Sequence, residues 1–325
     1  MNKKLLLATA ALSGLMAAHS AFAMELWDPA TTGMSVGVPA GMLPPQGVYF
    51  VDDNMYGVTN HFYNNGTKVP GSTLNAYINV PVLIWSPGVK VLGATYAVAI
   101  AQPFDFTSAA DAPHANSGGG NLGIYNTVIN PIMLSWNLMP LFVSTSLSVY
   151  LPTATNTKLD MFQGKFSNGG FPSGNSFWTI QPNLGLTYLF PDGWSASVNM
   201  QLAFPINSTN GTISTALGDK TYHYKSGVIL MNDYTVSKTI NKHWSAGLGG
   251  WTWNQLSHDS ASGTYLGVNP GAAPAGLNAS YGVSEFVGYQ FQGGLLVQGI
   301  LSEGLAAKND QGKGYSFNVR FSLPL

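Results

Sequence analysis

Cysteine is absent from the 325 residues, which removes disulfide frameworks, thiolate metal sites and cysteine nucleophiles together. Charge is scarce as well. Only 8% of the residues are Asp, Glu, Lys or Arg, against about 25% in an ordinary soluble domain, so the usual solvated surface is missing. Arginine occurs once, at position 320, and the formal net charge is −1. That excludes a surface built to read the phosphates of a nucleic acid. Long hydrophobic runs are also lacking. Beyond residue 23 the longest is a handful of residues, as in Ala97-Val98-Ala99-Ile100-Ala101, whereas a membrane helix needs about 20.

What is present narrows the class further. The chain is 45% hydrophobic and 12% aromatic, with 38 glycines and a mean hydropathy of +0.11. So many aromatic residues argue against a disordered chain. The profile suits sheets with one apolar face and one neutral polar face. At the start, Lys3 and Lys4 form a basic region, Leu5 to Ala18 an apolar one, and Ala21-Phe22-Ala23 a small-residue cleavage site. This pattern predicts a secretory signal peptide over 1–23, with an exported mature chain from Met24.

From residue 46 onward the periodicity is 2, not 3.6. In the last segment Tyr315, Phe317, Val319, Phe321, Leu323 and Leu325 alternate with Ser316, Asn318, Arg320 and Ser322. The spacing predicts about twelve strands, at 46–58, 72–85, 90–106, 121–136, 140–151, 176–190, 193–205, 221–237, 242–255, 277–290, 293–301 and 313–324. Many run to ten residues or more, the length a tilted strand needs to cross a bilayer. Short turns at 86–89, 137–139, 191–193, 239–241 and 290–292 alternate with long polar loops at 59–71, 107–120, 152–175, 206–220, 256–276 and 302–312. Outer-membrane barrels have short periplasmic turns and long external loops. Trp85, Trp136, Trp178, Phe190, Trp194, Trp244 and Tyr315 fall at strand ends, where a barrel carries its aromatic girdles. The expected fold is therefore all-β, an antiparallel transmembrane β-barrel in the outer membrane of a Gram-negative bacterium.

Signals for catalysis are thin, with no nucleophile elbow, zincin, P-loop or dinucleotide motif. His61, His114, His223, His243 and His258 are too scattered for metal-ligand spacing, so neither a metal nor a cofactor is expected. His223, Lys225 and Asp233 share one face of the segment 221–237, because Tyr222, Tyr224, Val228, Leu230, Tyr234 and Val236 take the other. A cation on the lipid face costs about 2–4 kcal/mol at mid-membrane, an acid less, so the three are placed inward. Asp52, Arg320 and the amides Asn183, Asn199, Gln201 and Asn318 are assigned to the same interior. Two readings stay open: a polar lining that guides a solute, or a hydrogen-bonded network that fills a narrow barrel. Glu285 shares parity with Val283, Val287 and Tyr289, which calls for a bulge or an exchange of faces.

The order of several short motifs resembles the outer-membrane proteins named for the meta-pathway of phenol degradation, a family labelled as transporters. Pro44, Pro45 and Gly47, ahead of Val48-Tyr49, look like the family's opening motif. Leu151-Pro152-Thr153 followed by Asn175 and Trp178 resembles its central loop and the return into a strand. Asn207 and Asn210, then Tyr224-Lys225-Ser226-Gly227 and Asp233-Tyr234, are similar to its next loop and strand. Gln255 and Asp259, after Gly247 to Trp253, match a later strand and loop. Ala154 and Leu325 depart from the pattern, standing where a glycine and a terminal aromatic residue are usual.

The organisation expected is a signal peptide at 1–23, a periplasmic segment or plug at 24–45, and a barrel at 46–325. The leading expectation for function is uptake of small, hydrophobic or aromatic organic compounds, which the resemblance implies only as a class. Outer-membrane lipids, the barrel assembly machinery and a small organic solute are the expected partners. A structural or adhesive barrel acting through its loops is the first alternative, with Phe162, Phe166 and Phe171 in the loop 152–175 as its recognition surface. An outer-membrane hydrolase is the second, and no serine–histidine pair can be named for it.

Overall fold

Alternating side chains need an apolar surrounding on one side and a filled interior on the other, and a sheet meets both demands by closing on itself. A computed structural model shows that closure. It describes residues 29–64, 67–69, 71–111, 116–155, 161–162, 165–166, 173–206, 209–215, 218–258, 260–262, 277–308 and 312–325. The expected leader, Asn207 and Asp259 lie outside the described residues.

The barrel has twelve antiparallel strands. They are β1 (Gly47–Asn64), β2 (Ser72–Ser86), β3 (Ala94–Ala101 and Phe104–Asp111), β4 (Asn116–Ile124 and Val128–Leu138), β5 (Leu141–Tyr150) and β6 (Trp178–Leu189). The second half comprises β7 (Trp194–Ile206), β8 (Ile229–Thr239), β9 (Trp244–Gln255), β10 (Ala279–Gln290), β11 (Leu296–Lys308) and β12 (Gly312–Pro324). Each pairs with its sequence neighbour, and β12 pairs with β1 from Tyr49↔Pro324 to Phe62↔Gly312, which closes the ring. Among the described residues no helix is long and apolar enough to cross a membrane.

Two departures from the expected strands have physical causes. β3 is interrupted at Gln102-Pro103 and β4 at Tyr125 to Thr127. In the shared register Pro81 stands opposite Gln102, whose N–H it accepts at 3.2 Å, and Pro103 opposite Val80, and neither proline can donate to the ladder. The segment expected as one strand over 221–237 is two. Gly218–Lys225 leaves the barrel for a separate three-stranded sheet with Thr209–Thr215 and Ser260–Ser262, and β8 begins only at Ile229.

The outward face is apolar, with Leu83, Ile100, Val236, Leu248, Leu301 and Phe317 among its exposed residues. Trp85, Phe190, Trp194 and Trp244 are exposed at the short-turn end, and Trp178 and Tyr315 at the long-loop end. Trp136 is half-buried and donates its indole N–H to the Leu92 carbonyl at 3.0 Å. Glu285 sits outward and exposed, between Val283 and Val287. The register shift of β10 lies at Tyr281/Gly282, so no bulge rescues Glu285 from that face.

Candidate functional site

Residues 29–44 lie inside the barrel. They form a run of tight turns, with Val36 N bonded to Gly33 O at 3.1 Å and Val38 N to Ser35 O at 3.0 Å. Inward side chains from many strands satisfy the rest of this backbone. Asp233 on β8 accepts from Gly33 N at 2.8 Å, Ser35 N at 2.9 Å and Ser35 Oγ at 2.6 Å. Asn199 on β7 donates to the same Ser35 Oγ at 3.2 Å. Lower down, Ser144 Oγ donates to Ala40 O and Ser135 Oγ to Gly41 O, both at 2.7 Å, while Thr187 Oγ1 accepts from Gly41 N at 2.8 Å.

Arg320 is the centre of a second anchor. Its Nε donates to Asp53 Oδ1 at 2.9 Å, and its two remaining nitrogens reach the carbonyls of Val36 and Met34. Asn318 donates to Asp53 Oδ1 at 2.6 Å, and Gln298 donates to Gly37 O at 3.1 Å. Both charged groups are buried, and a buried pair holds only when its remaining donors are met in this way. Val36 itself is fully buried against Phe286 and Ile300. Glycines make room for the inserted chain. A Cβ on Gly185 would stand 2.1 Å from Ala40 O, and one on Gly249 2.7 Å from a Val36 methyl.

Beside this plug runs a cavity of about 740 Å³, within the size range of small-molecule sites. Its two walls differ in chemistry. On β2 the inward residues Leu74, Ala76, Ile78, Val80, Val82 and Ile84 form an unbroken apolar stripe, faced by Met34, Val38 and Met42 of the plug. On β4 to β7 the wall is a chain of neutral polar groups. Gln181 donates to Asn183 and to Gln201, and Asn183 donates to Ser146 at 3.0 Å and Ser148 at 2.9 Å. Among the described residues no group of three His, Cys, Asp or Glu side chains could hold a metal ion.

The lumen thus brings together Asp233, Asn183, Asn199, Gln201, Asn318 and Arg320. Asp52 is a correction. It faces outward, bonded to Asn54 at 2.9 Å and Asn79 at 2.7 Å, and its neighbour Asp53 takes the inward position. Lys225 is a second correction, exposed on the separate sheet and not on the strand of Asp233. The backbone of His223 pairs with Ser262 and Asn210 in that same sheet, and its side chain lies outside the described residues.

The motif residues occupy corners of the wall. Pro44 and Pro45 precede β1, which starts at Gly47. Pro152 follows the end of β5, Asn175 bonds to Asn126, and Trp178 opens β6 on the outward face. Gln255 closes β9 and accepts from Asn278 N at 3.2 Å. Sequence reasoning missed Thr187, Thr235 and Gln298 as plug contacts, and Asp53 as the partner of Arg320. Parity with Asn183 for Thr187, with Asp233 for Thr235 and with Ile300 for Gln298 was the local signal, and it names a face without naming a partner.

A family model described as "Putative MetA-pathway of phenol degradation" matches residues 59–321. Among solved structures, the COG4313 outer membrane channel from Pseudomonas putida F1 superposes with a TM-score of 0.71 at 14% identity, covering 91% of this chain and 100% of that one. The transport unit of the autotransporter AIDA-I from Escherichia coli gives 0.51 at 8% identity, covering 95% and 96%. At these identities the likeness is one of fold. Comparison with curated protein sequences found no match.

Proposed function

The chain belongs to the phenol-degradation MetA-pathway family that matches most of its length, and from that premise we propose that it is an outer-membrane channel for small hydrophobic or aromatic organic compounds. The observation that carries the reading is the apolar stripe on β2, from Leu74 to Ile84, running along the lumenal cavity. A water-filled pore has a polar interior on every strand. Here β2 lines the cavity from Leu74 to Ile84 without a hydrogen-bonding side chain, and the plug opposes it with Met34 and Met42. Methionine is flexible and polarisable, and it adapts to apolar molecules of varied shape.

The polar wall gives the path its second property. Its amides and hydroxyls are neutral and largely bonded to one another, so they tolerate a weakly polar solute without binding an ion strongly. An aromatic ring fits between such walls, since it presents an apolar body and at most one polar edge.

The test is uptake of labelled toluene by intact cells that lack other routes. Cells producing the protein should take it up faster than cells with an empty vector. The variant Ile78→Asp, which puts a charge in the middle of the stripe, should return uptake to the vector level. Equal uptake by all three would overturn the reading.

A further inference from the structure

The separate three-stranded sheet joins the barrel by two crossings that run side by side. Residues 226–228 lead from Gly218–Lys225 into β8, and Leu256, Ser257 and His258 continue from the end of β9 toward Ser260–Ser262. Leu256 N donates to Val228 O at 2.7 Å, and Val228 N donates to Ser257 Oγ at 2.9 Å. The two crossings meet at Gly227, where a Cβ would stand 1.9 Å from Ser257 O. A side chain has no room there, so this close approach requires glycine.

Between these crossings and the end of β7 lies a second cavity, of about 260 Å³. It shares no lining residue with the lumenal one. Phe204, Pro205 and Val228 form its apolar side. Lys225, Ser226, Ser257 and His258 form its polar side, and no described residue lining it is an acid.

Ser226 is 5% exposed, and its Oγ has no hydrogen-bond partner among the described residues. A hydroxyl buried in that way costs stability unless another group meets it. Ser257 Oγ already accepts from Val228 N, which leaves its O–H to donate. Lys225 and His258, both exposed, line the same cavity and add an ammonium and an imidazole N–H. The pocket thus offers donors from four side chains together with the charge of Lys225. An oxyanion rich in acceptors satisfies such a set, and a neutral solute does not. A phosphate, with its charge and its several free oxygens, is a group of that kind.

The level of the pocket says what carries the phosphate. Ile206 and Phe204, at the end of β7, pair with Trp178 and Ile180 of β6. Trp178 is one of the aromatic residues exposed at the long-loop end, and such residues mark the boundary between hydrocarbon and headgroups. Below that level the outward face is apolar, with Phe204, Tyr234 and Val236 exposed along β7 and β8. We infer that the pocket binds the phosphate of a lipid headgroup in the leaflet at the long-loop end, with the lipid chains lying along that apolar face. Lys225 supplies the counter-charge, and Ser226 gains the partner it lacks. The inference needs the chain to be a membrane barrel and is independent of what the lumen carries.

The test is native mass spectrometry of the purified full chain, released from detergent with its lipid bound. The probes are lipid A carrying its phosphates, lipid A stripped of them, and inorganic phosphate as competitor. Wild type should retain the phosphorylated lipid and not the stripped one. Lys225→Ala should weaken that binding about tenfold or more, as loss of a charged hydrogen bond does. Lys308→Ala, which removes an exposed cation at the same end of the barrel, should leave it unchanged. Ser226→Ala should also weaken binding and yet unfold at the wild-type temperature or above, whereas a serine with a structural role alone would lower that temperature and leave binding as it was. Equal retention of the two lipids, or equal losses in Lys225→Ala and Lys308→Ala, would overturn the site. Displacement of the lipid by an equal concentration of inorganic phosphate would give the pocket to a soluble anion and overturn the lipid assignment.

Discussion

Arg320 lies 267 residues from Asp53 in sequence and 2.9 Å from it in space, and the same guanidinium holds the Val36 carbonyl at 3.0 Å. One side chain thereby ties the last strand, the first strand and the plug together. Arg320→Met leaves the Asp53 carboxylate buried with Asn318 as its remaining donor. Breaking a buried pair from one side costs roughly 3–5 kcal/mol. The expected result is a lower unfolding temperature, read from loss of the compact gel form, and a larger conductance in planar bilayers as the plug loosens. Arg320→Met combined with Asp53→Leu should recover most of the temperature and keep the larger conductance. A single variant as stable and as closed as wild type would remove Arg320 from the plug's anchorage.

The strands were legible because each has one face against apolar surroundings. Phe317, Val319 and Phe321 against Asn318 and Arg320 fix parity without any structure. Parity fails where polar residues follow one another. In Val51-Asp52-Asp53-Asn54 nothing local says which aspartate turns inward, and the choice is made by Arg320 at the far end of the chain. It also fails where a strand leaves the barrel without changing its rhythm. The period-2 pattern keeps the same parity on both sides of Ser226-Gly227, with Tyr222 and Tyr224 before and Val228, Leu230, Tyr234 and Val236 after, so Lys225 and Asp233 read as one face although the backbone departs between them. The plug was the least legible part. Residues 29–44 take their conformation from partners on other strands, such as Asp233, Thr187 and Gln298, and their own sequence has no period to show it.

Gly185 offers a way to move the plug without touching its anchors. A side chain there would meet Ala40 O at 2.1 Å and Ser144 Oγ at 2.4 Å, and backbone at that distance has nowhere to retreat within the lumen. Gly185→Val keeps the ladder to β5 and β7 and suits a strand, so the barrel should assemble with normal gel migration. The lower part of the plug should be displaced and single-channel conductance should rise. Unchanged conductance would show that the plug is held further from β6 than the structure places it.

The two faces of β12 give a thermodynamic test of the membrane reading. Phe317 is exposed on the outward face and pairs with Tyr56 and Leu301, while Ser316 faces the cavity. Phe317→Lys places a cation in the apolar band and should destabilise the folded barrel in lipid vesicles by about 2–4 kcal/mol. Ser316→Lys should cost far less, because the lumen already carries charged and neutral polar groups. Equal losses in denaturant titrations would exchange the faces.

The last prediction fixes the sidedness of the barrel in the cell. Leu92, in the short turn between Lys90–Val91 and β3, is 84% exposed, and Lys225 is exposed at the opposite end on the separate sheet. Barrels of this class keep short turns in the periplasm and long connections outside. A membrane-impermeant maleimide should therefore label Lys225→Cys on intact cells and leave Leu92→Cys unlabelled until the outer membrane is broken. Neither residue touches the plug or faces the cavity, so both variants should retain wild-type gel migration and the labelling then reports position alone. Labelling of Leu92→Cys on intact cells, with Lys225→Cys protected, would invert the barrel. Residues 42–46 would then meet the medium in place of the periplasm.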